Sequence, residues 1–202
     1  MKPQIISREE IIEKDGNEDQ VTRWYFSKDG IHEINLGNLL GERIMECDWL
    51  DEKETTLLVN YSDWASNSVY ALVSQEGKVF RKSITFIEEY IEEHEVMIAN
   101  IMGKSLGMEN LHFNMDEDDR KVVVLDKRGR LILEPRYKEI GFIEERQCFY
   151  AITDYDQEQY FYPNGEENEM EMIRREKLMK LKRDFRHFKK SSFTFKNSLF
   201  LK

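Results

Sequence analysis

Two stretches decide how this chain folds. One runs from Val122 to Thr153, VVVLDKRGRLILEPRYKEIGFIEERQCFYAIT, and the other from Tyr70 to Ile101, YALVSQEGKVFRKSITFIEEYIEEHEVMIANI. Laid over each other without a gap, they share three features at a single offset of 52 residues. Gly77 falls on Gly129, Tyr90-Ile91-Glu92-Glu93 on Phe142-Ile143-Glu144-Glu145, and Ala99 on Ala151. Within the later stretch, the apolar run Val122–Leu125 meets a polar turn, Asp126-Lys127-Arg128-Gly129, and a second apolar run, Leu131–Leu133. Two β-rich runs around a short glycine-containing turn predict a hairpin. The glycine supplies the positive φ that such turns require. A third run, Gln147–Ile152, predicts a third strand, as do Val96–Ile101 and Thr55–Tyr61. One such unit cannot bury its own apolar face; stacking neighbours can.

Working outward, Arg23–Gly30 resembles Tyr70–Gly77, and Trp49–Glu54 resembles Tyr90–Glu95, which makes a third copy upstream. Tyr160–Gly165 carries a fragment of a fourth. The expected architecture is mainly β: antiparallel hairpin or meander repeats of about 50 residues. The units lie near 23–61, 70–101 and 122–153, with a partial one at 160–165, in a body spanning 1–165. The first 20 residues read either as a strand with a turn at Asp15-Gly16-Asn17 or as a short helix.

Residues 125–142, LDKRGRLILEPRYKEIGF, resemble a WG repeat. That family's pattern is an aliphatic-Asp-Lys-x-Gly-basic turn, an apolar strand, Pro-x-Tyr, then Ile and Phe. The Trp-Gly pair that names the family would fall at Val122-Val123, where it is absent. In the preceding copy Tyr70-Ala71 stands in its place, and that copy lacks Pro-x-Tyr. The resemblance implies a bacterial β-repeat module that binds rather than catalyses, and it carries no catalytic residue to transfer.

Residues 166–190 contain no glycine or proline, and strong helix formers dominate them. Acidic residues crowd the start and basic ones the end, which complements the helix dipole. Met170, Ile173, Leu178, Leu181, Phe185 and Phe188 recur at helical spacing as one apolar stripe. The final stretch, Phe193–Lys202, alternates and reads as a strand returning to a sheet edge. The expected role of residues 166–202 is a basic helix and strand packed on the body, with the stripe covering the open end of the last unit.

Charge sharpens this. The chain has 30 basic and 40 acidic side chains. Residues 173–202 hold eleven basic and two acidic ones, a net of +9, so the preceding 172 carry −19. The basic segment could lie on its own acidic body, dock a protein, follow nucleic-acid phosphates or sit on an anionic membrane. The acidic body would equally suit an immunity or inhibitor protein that covers a basic toxin.

Signatures of catalysis are missing. There is no phosphate-binding glycine loop, nucleophile elbow or zinc-helix motif. His32, His94, His112 and His187 have no partners at metal-ligand spacing, and Asp116–Asp119 lacks the spaced ligands of a calcium loop. Cys47 and Cys148 read as reduced thiols. With no secretory or membrane-spanning run in view, the expected location is the cytoplasm. The expectation is therefore a non-enzymatic protein-interaction module without cofactor or metal. Its candidate partner contacts are Trp24, Trp49, Trp64, Arg174, Arg175, Lys182, Arg183 and Arg186. The acidic pairs Asp51-Glu52, Glu92-Glu93 and Glu144-Glu145 recur at one place in each unit and are expected at turns or edges.

Overall fold

The computed structural model describes residues 3–14, 17–63, 66–102, 120–180 and 182. The expected strand at 193–202, the apolar positions Leu181, Phe185 and Phe188, and Trp64, Arg183 and Arg186 all lie outside these.

The chain begins with a hairpin, β1 (Gln4–Lys14) and β2 (Asn17–Ser27), paired in unbroken register from Gln4↔Ser27 to Lys14↔Asn17. The strand alternative for the N-terminus is thus the one adopted. A short β3 (Glu33–Asn35) pairs with the end of β2 and completes a three-stranded sheet. One helical turn, α1 (Leu36–Leu40), then buries Leu36 and Leu40 and is capped by the Asn35 side chain.

Nine strands follow: β4 (Arg43–Trp49), β5 (Thr56–Ser62), β6 (Ser68–Ser74), β7 (Val79–Ile91), β8 (Val96–Met102), β9 (Arg120–Asp126), β10 (Leu131–Ile143), β11 (Cys148–Thr153) and β12 (Glu158–Phe161). They form one antiparallel meander in which each strand pairs with the next in sequence. A helix, α2, occupies residues 169–180. The fold is mainly β with a C-terminal helix, as the sequence predicts.

In the two middle units, β6 and β9, and then β7 and β10, begin and end 52 residues apart. So do the 3-10 turns Glu92–His94 and Glu144–Arg146, which hold two of the recurrent acidic pairs. The offset does not run through the chain. In the first copy α1 lies between β3 and β4, where the later copies have one long strand.

Each first turn is built the same way. Asp126 accepts from the backbone N–H of Arg128 (2.9 Å) and Arg130 (2.8 Å) through Oδ1. Ser74 Oγ takes the same role toward Glu76 and Lys78, both at 3.2 Å. A left-handed glycine closes each turn: Gly77 at φ 74° and Gly129 at φ 71°, with Gly30 and Gly165 also at positive φ.

The sequence shows a short second strand at Leu131–Leu133, yet β10 is 13 residues long. Its first half pairs with β9 and its second half with β11, and Tyr137 pairs with both neighbours. Pro135, which has no N–H to offer, lies inside the register shift between Leu133 and Tyr137. In β7 the equivalent shift holds Ser83 at φ 63°, and its N–H donates to Tyr61 Oη (3.1 Å).

These shifts bring non-adjacent strands together. A Cβ on Gly77 would meet Ile34, one on Gly129 would meet Arg81, and one on Gly165 would meet Ile132. Each turn glycine therefore rests on the second strand of the preceding unit. Three hydrophobic clusters result. The first holds Phe26, Leu57, Val59 and Val73, the next Leu72, Ile84, Met97 and Leu125, and the last Val124, Tyr137, Phe149 and Phe161. Val124 and Leu125 serve different clusters, which is why Val122–Leu125 is continuously apolar rather than alternating. Burying each such side chain contributes about 1.5–3 kcal/mol.

Candidate functional site

A second set of contacts runs along the stack. Each 3-10 or related turn ends in a non-glycine residue at positive φ: Glu54, Glu95 and Gln147. The residue before it reaches the corresponding residue of the next unit. Lys53 Nζ pairs with Glu95 Oε1 at 3.0 Å, and His94 Nε2 is hydrogen bonded to Gln147 Oε1. Arg146 stands in the same place in the third unit, but its partner is Glu171 of α2. The helix thus takes the position that a further unit would fill.

α2 is placed there by its cap. Asn168 is buried, its N–H donates to Tyr160 O (2.7 Å), and its Oδ1 accepts from the Glu171 N–H (3.1 Å). An asparagine before the first turn satisfies a helix N–H that would otherwise lack a partner. Glu171 is 6% exposed. Arg146 pairs with it directly, while Arg174 Nη1 and Arg175 Nε both lie 3.8 Å from its carboxylate. The Arg175 guanidinium lies 5.8 Å from the Tyr160 ring centroid.

This base opens onto a groove of about 580 Å³ lined by Ile143, Glu145, Arg146, Tyr150, Glu158, Tyr160, Arg174 and Arg175. The Tyr150 hydroxyl donates to Glu139 (2.9 Å), and this contact together with burial raises its pKa. Tyr160 is also pushed up, by burial first and then by donating to Glu158 (2.5 Å). Cys148, behind the cluster, is buried and its thiol is pushed up by desolvation.

The apolar stripe of α2 does not make this contact. Asn168, Glu171, Met172 and Arg175 face the body, while Met170 is 73% exposed, Ile173 45%, Leu178 40% and Met179 55%. Over the described turns Met170, Ile173 and Leu178 do not cover the last unit, and Leu181, Phe185 and Phe188 lie outside the described residues. The reason is geometric: the buried Asn168 and Glu171 orient the helix, and the stripe lies on another face.

The other expected partner contacts are dispersed. Trp24 and Trp49 pack as half-buried residues against the first cluster, where Trp49 meets Phe26 edge to face at 5.8 Å. They therefore act largely as core, since Trp24 shares its strand face with Phe26. Lys182 is exposed. Among the described ones, only Arg174 and Arg175 are brought together. Arg146, Glu171, Tyr150, Tyr160 and Glu158 are not legible as site residues, although Arg146 stands 52 positions after His94.

Among the described residues no three His, Cys, Asp or Glu side chains are placed to hold a metal ion, and no helix is long and apolar enough to cross a membrane. No family model matches the chain, and no curated protein matches it.

Proposed function

We propose that this chain is a non-catalytic protein-interaction module of WG-repeat type that offers α2 as its docking element. The observation that carries this reading is the orientation of the helix. Its base is tied into the stack by Asn168 and Glu171, and Met170, Ile173 and Leu178 face solvent. An apolar stripe left open on an anchored helix suits insertion into a groove of another protein. Arg174, Lys177 and Lys180 around it suit a partner with an acidic rim.

The test compares the full chain with a Met170→Glu/Ile173→Glu/Leu178→Glu variant as bait in extracts of the source cell. The expected result is one stoichiometric partner retained by the former and lost by the latter, with unchanged circular dichroism. Equal retention by both would overturn the reading. Steeply salt-dependent binding to anionic vesicles or DNA, with no protein retained, would replace it by an anionic-surface role.

A further inference from the structure

We propose that the groove at the base of α2 binds a carboxylate presented by a peptide chain. The proposal rests on the interaction reading and specifies its partner. Lys53 with Glu95, and His94 with Gln147, place one side-chain contact between each pair of corresponding turns. Arg146 with Glu171 completes that series. Arg174 and Arg175 add two further guanidinium groups around Glu171.

Three guanidinium groups thus converge on one carboxylate, two of them at 3.8 Å, beyond hydrogen-bond distance. Arg175 Nε is buried and has no hydrogen-bond partner. A buried donor without an acceptor costs free energy that a bound acceptor would restore. Its guanidinium is also held against Tyr160, which orients the planar fork before any ligand arrives. Planar bidentate recognition of a carboxylate is the chemistry for which arginine is suited.

The remaining walls narrow the ligand. Glu145 and Glu158 line the same groove and oppose a dianion such as a phosphate monoester, or a polyphosphate chain. They tolerate a singly charged carboxylate and would favour an adjoining N–H donor, such as a peptide backbone. Ile143 and Tyr150 add apolar surface, and a groove of about 580 Å³ holds a few residues rather than a free anion. The carboxylate could belong to a chain terminus or to a Glu or Asp side chain.

Fluorescence anisotropy with three labelled octapeptides of Gly and Ser separates these sources. One ends in a free carboxylate, one is amidated with two internal Glu, and one is amidated and neutral. Binding of the first alone, the second alone, or both identifies the source and supports the proposal. In each case affinity should fall about tenfold or more in Arg174→Ala/Arg175→Ala. The exposed substitution Arg174→Glu should weaken binding while circular dichroism stays unchanged, which separates loss of the site from loss of the helix. Equal binding of the neutral peptide, or displacement of the charged ones by low-millimolar inorganic phosphate, would overturn the proposal. If no peptide binds while the stripe variant still loses its protein partner, this proposal fails and the docking reading stands.

Discussion

Gly129 rests on Arg81. A Cβ at Gly129 would lie 2.5 Å from the Arg81 Cβ, and Arg81 Nε donates to the Gly129 carbonyl at 2.5 Å. Two units separated by a full strand of the meander are joined at this point. Gly129→Ala should therefore be damaging for two reasons, its φ of 71° and the collision with a neighbouring strand. The expected loss is about 2–4 kcal/mol by urea denaturation. Gly41→Ala supplies the comparison, because Gly41 has the same φ and open space around it. It should cost only about 1–2 kcal/mol. Equal losses would mean that the packing of Gly129 on Arg81 carries no stability.

Glu171→Ala should release α2 without unfolding the body. The substitution removes the carboxylate that Arg146 pairs with and that Arg174 and Arg175 approach. Because Arg146 is partly solvated, the expected cost is about 2–3 kcal/mol, below that of a fully buried pair. Hydrogen exchange should quicken over residues 169–180 and stay slow in β9–β11. Trypsin should cut at Arg174 and Arg175 earlier than in the wild type. Protection that is unchanged in α2 would show that Asn168 alone holds the helix.

Much of this architecture is legible in the sequence, and the reason is local. The turn Asp126–Gly129, the apolar runs beside it and their copy at Ser74–Gly77 each carry their own short-range signal. Long-range consequences are not written that way. Nothing local says that β10 continues through Pro135, because the shift that accommodates proline depends on both neighbouring strands. Glu95 and Gln147 take positive φ without being glycine, so the turns they close carry no glycine mark, only the recurrent acidic pairs before them. The stripe of α2 follows the helical period correctly. Period alone does not say which way a helix faces, and here buried Asn168 and Glu171 decide it. The same residues explain why the arginine cluster is half legible. Arg174 and Arg175 are conspicuous by charge, whereas Arg146 joins them only through the stacking of turns.

Both cysteines should be unreactive in the folded protein. Cys47 is buried and its thiol is pushed up to about 12, by desolvation first and then by Asp48 and Glu46. Cys148 is shifted in the same direction by burial. Reactivity follows the thiolate, which both sites disfavour. At pH 8 a disulfide dye should titrate no thiol in buffer and two in denaturant. Rapid reaction of one thiol in buffer would show that its cluster opens readily.

The turn at Asp29–His32 should titrate as an ion pair. His32 Nδ1 lies 2.6 Å from Asp29 Oδ2, and Asp29 Oδ1 accepts from the N–H groups of Ile31 (2.9 Å) and His32 (2.8 Å). The histidine is raised from 6.5, chiefly by its hydrogen bond to Asp29. Asp29 is held well below the usual carboxylate range, first by the His32 side chain and then by the backbone donors. The raised histidine contributes fully below its unfolded pKa and loses that contribution as pH rises through the folded value. The lowered carboxylate contributes fully above its unfolded pKa and loses it as pH falls through the folded value. Both are present between about pH 4 and 6.5, so the turn should be best ordered in that window. NMR titration should place His32 above 6.5, and Asp29→Asn should return it to about 6.5, the ordinary value for histidine. A His32 pKa that ignores this substitution would show that the pair does not form in solution.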